Sequence, residues 1–508
     1  MTTLGTRALM CLLSIALIAG CAADLDSDAE ASVGLHGEAL RLSRECNDSF
    51  DSVYTAPSEL PDFEPSRRGD VVRCSTGRSI APDEIAATLL KLGFAGVPAR
   101  SPVQLYRISY RTTRVGKNGD LSSALVVLPA NNRITQDGQG QNEGEGENGG
   151  QAGARAPLIV FGHGTVPFGP TCGYSKYDPA RDLPDRELAS LLAFATLGFP
   201  VIMPDFPGFV AGSTVTGYIL SEDEAQALLD ATRAMQKLVQ DPPDRVAMVG
   251  HSQGGHAVLS AQALARSYGM AGQLIGIAAM APFWAVGRTF GAIVSPEFMF
   301  NTTDNPGPLA FAVEYFYTHA ELYDGAGRGP ELFKPEVRSA LQGYVSSCSF
   351  EASPAVLGFS AADFFQPDFL DAVAGCGVFG ADACSGGLAG TWETRFRADR
   401  PQLDPAGAPV VMWHGANDAV IEPALAKCAI DKLSADLQPL EGTAARFTFC
   451  GDAAADHESL LSNDIAWVAR WIEARAGNGG EPPSCPGSDA LEGGNGPLSC
   501  LTPPGNDD

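Results

Sequence analysis

Ser252 lies in Gly250-His251-Ser252-Gln253-Gly254, with Gly255 and His256 directly after it. The stretch follows the apolar run Val246-Ala247-Met248-Val249 and opens a helix-like segment, the strand-to-helix setting that a sharply turned nucleophilic serine needs. In such a turn side chains at 250 and 254 would collide with neighbouring backbone. The serine itself is lifted to a helix N-terminus, where developing negative charge is favoured. A free hydroxyl barely ionises at neutral pH, so the chemistry also requires a base and a group that orients the base.

Where a nucleophile stands at such a turn, the acid and then the histidine follow it in chain order. Four histidines lie beyond Ser252: His256, His319, His414 and His457. His256 is on the helix of the turn itself, His319 precedes any suitable acid, and His414 shares the strand end that carries the acid. His457, in Ala455-Asp456-His457-Glu458, is the expected base. The acid is expected at Asp418, just beyond the apolar run Val410-Val411-Met412-Trp413, with Glu422 as the runner-up and Asp456 as a flanking surface charge. An Asn-Asp turn would also account for Asn417-Asp418 without any catalytic role. Two N–H donors must receive the oxyanion: Gln253 from the turn, and Thr165, or else Gly164, from Gly162-His163-Gly164-Thr165. This chemistry needs no cofactor and no metal.

The elements that must position these residues alternate along the chain. Strands are expected at Val103 to Arg111, Ser122 to Pro129, Pro157 to Phe161, Pro200 to Pro204, Arg245 to Val249, Leu274 to Met280, Pro409 to Trp413 and Ala445 to Cys450. Between them, Asp185 to Leu197, Ser221 to Val239, Gly254 to Ser267, Glu422 to Ser434 and Glu458 to Ala476 carry helical periodicity. Such alternation builds a mostly parallel central sheet with helices on both faces. A long insertion, 285–400, holds 18 of the 41 Phe, Tyr and Trp residues, about twice an even share, and reads as an apolar helical cap ahead of the acid. A segment from Phe311 to Tyr323 is a cap helix. Such a cap either shapes an acyl pocket or packs only on itself.

These motifs, together with Met203-Pro204-Asp205-Phe206-Pro207-Gly208, Gly415-Ala416-Asn417-Asp418 and the early Phe50 to Tyr54 and Gly69 to Arg73, resemble the secretory lipase family of α/β-hydrolases. The likeness spans most of 49–475. It implies the α/β-hydrolase fold and hydrolysis of acylglycerols or other apolar esters, with Ser252, Asp418 and His457 in the triad positions and Asp205 as a structural acid below the site. A short-chain or aryl carboxylesterase, of acetyl or feruloyl type, would share every catalytic residue and differ in pocket depth. A serine peptidase of this fold and a non-catalytic binding protein are the remaining readings. Neither is favoured, because no propeller-like region precedes the hydrolase part and all three residues stand in order.

Composition agrees with an exported enzyme. Sixty acidic against 34 basic residues give a formal charge of −26, which excludes nucleic acid as a partner. Residues 1–20 read as a signal peptide, since Arg7 precedes an apolar run too short to span a membrane. Ile18-Ala19-Gly20-Cys21 resembles a bacterial lipobox, so Cys21 would carry a lipid and attach the chain to a membrane; an ordinary cleavage site would release it. Segment 21–46 is expected to be flexible, 47–476 to form the hydrolase domain, and the Gly-rich stretches 131–157 and 477–508 to be flexible as well. Beyond Cys11 and Cys21 ten cysteines remain and suggest disulfides rather than metal ligands, with Cys428–Cys450, Cys376–Cys384 and Cys485–Cys500 as local pairings. A monomer acting on an apolar ester is expected.

Overall fold

The computed structural model describes residues 40–58, 63–94, 96–117, 119–132, 155–177, 185–213, 215–295, 307–349, 358, 360–378, 386–437, 446–477 and 482–485. The signal segment with Cys21, most of the Gly-rich insertion and the Cys384 and Cys500 ends of two expected disulfides lie outside the described residues.

Among the described residues nine strands form one sheet in the order β1-β2-β3-β5-β4-β6-β7-β8-β9. They are β1 (Val71–Ile80), β2 (Val103–Thr113), β3 (Gly119–Pro129), β4 (Leu158–Gly162), β5 (Val201–Pro207), β6 (Arg245–His251), β7 (Gln273–Met280), β8 (Val410–Gly415) and β9 (Phe447–Asp452). The pairs β1·β2, β2·β3 and β3·β5 are antiparallel, and from β5 onward every pairing is parallel. The eight expected strands are present, extended by a few residues at most. β1 is the addition. It carries Arg73, Ser75, Thr76, Arg78 and Ser79, has a single neighbour and shifts register twice, so no apolar run marks it.

The parallel strands are apolar through their middles because both faces are covered. Along β4, Ile159 and Phe161 enter one core while Leu158 and Val160 enter the other, and β6 divides likewise between Ala247 and Val249, and Val246 and Met248. The first core is closed by α2 (Pro82–Lys91), α3 (Arg186–Thr196) and α13 (Ser459–Arg475), where Trp413 meets Trp467 edge-on. The second is closed by α4 (Ser221–Leu238), α5 (Gln253–Tyr268) and α12 (Pro423–Asp436). A short helix α1 (Phe50–Val53) precedes β1.

Between β7 and β8 come α6 (Val286–Ile293), α7 (Gly307–His319), α8 (Arg338–Val345), α9 (Ala361–Phe364), α10 (Pro367–Val378) and α11 (Gly387–Ala398). They enclose a third apolar cluster. Phe316 is its hub, in ring contact with Phe290, Phe365, Phe369, Trp392 and Phe396. These aromatics therefore serve a core of the cap itself. The expected helix over Phe311 to Tyr323 is α7, continued by a π turn over Ala320–Asp324.

Disulfides join Cys46 to Cys74, Cys172 to Cys348 and Cys450 to Cys485. The expected pairs Cys428–Cys450 and Cys485–Cys500 are thus replaced, Cys450 being held by Cys485; Cys428 is disulfide-bonded as well. Two segments read as flexible are fastened at these points. Cys46 is linked to β1, and Leu42 forms a bridge with Val239. Cys485 is linked to β9, and Ser484 accepts a hydrogen bond from the Trp467 indole at 3.1 Å.

Candidate functional site

β6 ends at His251 and α5 begins at Gln253, which leaves Ser252 to make the whole turn with φ 55° and ψ −114°. A non-glycine residue in this region is strained and is held by its surroundings. The Ser252 N–H donates to Met280 O at 2.9 Å, and its carbonyl accepts from His256 at 3.1 Å and Phe283 at 3.2 Å. A Cβ at Gly250 would collide with the Gly254 carbonyl, and one at Gly254 with the Gly162 carbonyl. The serine is nearly buried, at 9% exposure. Gln253 is the first residue of α5, so its N–H has no acceptor within the helix.

The acid and base loops are stitched to each other beside this turn. Ala416 N donates to Asp452 O at 2.8 Å and Asn417 N to Ala455 O at 3.0 Å. Asp418, buried just past β8, accepts from Val420 N at 2.9 Å and Ile421 N at 2.8 Å through Oδ1, while Oδ2 stands 2.8 Å from His457 Nδ1. Burial alone would raise the Asp418 carboxyl, but the hydrogen bond and charge of His457 hold it below the usual carboxylate range. An ionised Asp418 can only accept, so Nδ1 of His457 carries the proton and donates, which leaves Nε2 as the basic nitrogen. Glu422, the runner-up, is exposed ahead of α12. Asp456 caps Ser459 at 2.7 Å.

The remaining downstream histidines and His163 have partners of their own, although His414 Nε2 also stands 3.6 Å from Asp418 Oδ2. His414 faces Ile421 O at 2.9 Å and is kept neutral by burial. His256 pairs with Glu224 at 2.6 Å, and His319 with Asp399 at 2.7 Å. His163 is buried with its ring against Tyr174 and Phe206.

On the opposite side of Ser252, the Gly164 N–H is taken by Glu187 Oε1 at 3.1 Å. That leaves Thr165 as the candidate second donor; its hydroxyl lies 3.2 Å from the Tyr218 hydroxyl. The Gln253 side chain is turned to Glu224 at 2.8 Å, so its backbone, not its amide, is presented to the site.

Several supporting residues carry no signal in the sequence. Glu224 binds Gln253, His256 and the Ile219 N–H together. His256 continues to the Asp399 carbonyl at 2.7 Å, and the Asp399 carboxylate takes Tyr315 and His319 of α7, so a buried polar chain joins the turn to the cap. An acidic first turn suits a helix N-terminus anyway, which hides Glu224 among Glu222 and Asp223. Asp205 is fully buried and accepts from Ser123 Oγ and Ser175 N, both at 2.6 Å, which fits a structural acid. Among the described residues no group of three or more His, Cys, Asp or Glu could hold a metal ion. No described helix is long and apolar enough to cross a membrane.

A family model described as secretory lipase matches residues 185–483, more than half of the chain. No curated protein matches it in sequence. Among solved structures, the rice cell wall degrading esterase LipA from Xanthomonas oryzae is similar with a TM-score of 0.57 at 16% identity, covering 80% of this chain and 96% of that one. Lipase A from Candida antarctica is similar with a TM-score of 0.57 at 18% identity, covering 86% and 91%. At these identities the likeness establishes the α/β-hydrolase fold.

Proposed function

Because the chain belongs to the secretory lipase family, we propose that it hydrolyses carboxylic esters of apolar acyl groups through an acyl-enzyme on Ser252, with His457 as base and Asp418 as the acid that orients it. The observation that carries this reading is the Asp418 Oδ2 to His457 Nδ1 contact of 2.8 Å beside a strained serine turn. His457 Nε2 takes the hydroxyl proton as Ser252 Oγ attacks the ester carbonyl. The oxyanion settles on the N–H groups of Gln253 and Thr165, and the bond to the alcohol breaks as Nε2 returns the proton to the leaving oxygen. Water then gives a proton to Nε2 and attacks the acyl-enzyme. The acid leaves as Ser252 Oγ regains a proton from Nε2.

Export supports the substrate class. Disulfides belong to an oxidising compartment, and a lipid on Cys21 would hold a monomeric enzyme at a membrane surface near apolar esters. Cys21→Ser should then move the protein from the membrane to the soluble fraction.

The test is a panel of p-nitrophenyl esters from acetate to palmitate, run on the mature chain and on Ser252→Ala. Turnover that peaks at long chains and is lost in the variant is expected. Turnover confined to acetate and butyrate would make the enzyme a short-ester hydrolase, and Ser252-independent turnover would overturn the mechanism.

A further inference from the structure

Glu187, on the first turn of α3, and His251, the residue before Ser252, are both buried and face each other at 2.7 Å between Oε1 and Nδ1. The same Oε1 accepts the Gly164 N–H at 3.1 Å. The other ring nitrogen of His251 lies 2.8 Å from the carbonyl of His457. One buried pair thus touches the turn that carries Ser252, the loop that carries Thr165 and the backbone of the proposed base. A peptide carbonyl only accepts, so Nε2 must carry a proton, and Nδ1 faces a carboxylate that also serves Gly164.

We infer that Glu187 and an imidazolium at His251 form a buried ionic clamp that positions His457 and the oxyanion loop on either side of Ser252. They are positioning residues: neither reaches the ester. The role in turnover rests on the serine-hydrolase reading, whereas the protonation of His251 does not.

The surroundings fit the charged pair. Asp185 at the start of α3, Glu458 ahead of α13, Tyr174 after β4, and His457 and His414 on the acid side are the titratable groups around it. Burial alone would lower His251, but the Glu187 carboxylate, helped by Glu458 and the His457 carbonyl, pushes it up to about 9. Burial raises Glu187 against the pull of the imidazole. The ionised clamp therefore holds between the raised Glu187 value and about pH 9. Above that, a neutral ring has one N–H for two acceptors, and either Glu187 or the His457 carbonyl is released.

Two readouts test this. In protein labelled with 15N-histidine and free of substrate, a doubly protonated imidazole should persist from neutrality to about pH 9. His251→Gln should remove that one signal while any from His256 and His319, which also stand between a carboxylate and a carbonyl, remain. The absence at pH 8 of a doubly protonated imidazole that His251→Gln removes would overturn the clamp, whatever the enzyme hydrolyses. In turnover, Glu187→Gln should lower kcat about 10- to 100-fold with KM within about twofold, since only the geometry around Ser252 is disturbed. It should also move the alkaline fall of kcat at least about one pH unit below the wild-type position, because the imidazolium loses its counter-charge. An unchanged kcat and an unmoved alkaline limb in a folded Glu187→Gln protein would overturn the positioning role. Absence of ester turnover in the wild type would instead sink the hydrolase reading and leave the imidazole spectrum to decide the clamp.

Discussion

Asp418 holds His457 through one oxygen only: Oδ2 stands 2.8 Å from Nδ1, and Oδ1 is already engaged by the N–H groups of Val420 and Ile421. The division fixes the carboxylate plane before the imidazole arrives. In Asp418→Asn the amide oxygen would stay on the two N–H donors and the NH2 group would face Nδ1. His457 would then accept at Nδ1 and carry its proton on Nε2, the wrong tautomer for a base. We expect kcat on any accepted ester to fall roughly 10³- to 10⁴-fold with stability lowered by no more than about 1–3 kcal/mol. A loss of less than tenfold, measured beside a thermal melt, would remove Asp418 from the acid role.

The serine turn makes a second prediction from space alone. Gly254→Ala would drive a methyl group into the Gly162 carbonyl at the end of β4 and Gly250→Ala one into the Gly254 carbonyl in the first turn of α5, both backbone atoms that cannot yield. Each should cost at least about 3 kcal/mol or prevent folding. Gly343, exposed on α8 with nothing near its missing Cβ, is the contrast: Gly343→Ala should stabilise by about 0.5–1 kcal/mol. Equal melting temperatures for Gly254→Ala and wild type would mean that the turn can open to admit a methyl group.

What could be read from the sequence was what lies close together along the chain. Ser252 was legible because Gly250 and Gly254 flank it between a strand and a helix, and His457 because the other three downstream histidines had competing positions. The supports were hidden because their partners are remote: Glu187 meets His251 and Glu224 meets Gln253 only after the sheet has formed. β1 escaped because an edge strand with a single neighbour needs no apolar run. The disulfides show the same limit, since Cys450 passes over Cys428, nearby in the chain, to join Cys485 beyond α13. The cap aromatics were visible as an excess, but only packing shows that Phe316, Phe365 and Trp392 face each other.

Cys172 and Cys348 tie the loop after β4, which also carries Thr165, to the end of α8 in the cap, across 176 residues. A bridge closing so long a loop restricts the unfolded chain strongly. Replacing both cysteines by serine should lower stability by about 2–4 kcal/mol. Locally, hydrogen exchange should quicken in α8 while α13, packed in the first core of the sheet, keeps its protection. Equal protection of α8 with and without the bridge would show that the cap is held by packing alone.

Asp464 on α13 is buried against Asp452, which is itself satisfied by Ala454 N at 2.8 Å, Ala455 N at 3.2 Å and Asn463 Nδ2 at 2.9 Å. Asp464 is therefore the carboxyl of the pair that keeps the proton. Burial, with the charge of Asp452 second, pushes Asp464 up to about 8. A raised acid makes its contribution while it is protonated. Stability is complete below the unfolded value of about 3.9 and is lost progressively as pH rises toward 8, because the unfolded chain ionises first. Asp464→Asn supplies a neutral donor to Asp452 at every pH. The variant should match wild type in thermal melts near pH 4 and exceed it by roughly 1–3 kcal/mol above pH 8. If the two curves stay parallel across that range, Asp464 is ionised in the fold and the carboxyl pair does not share a proton.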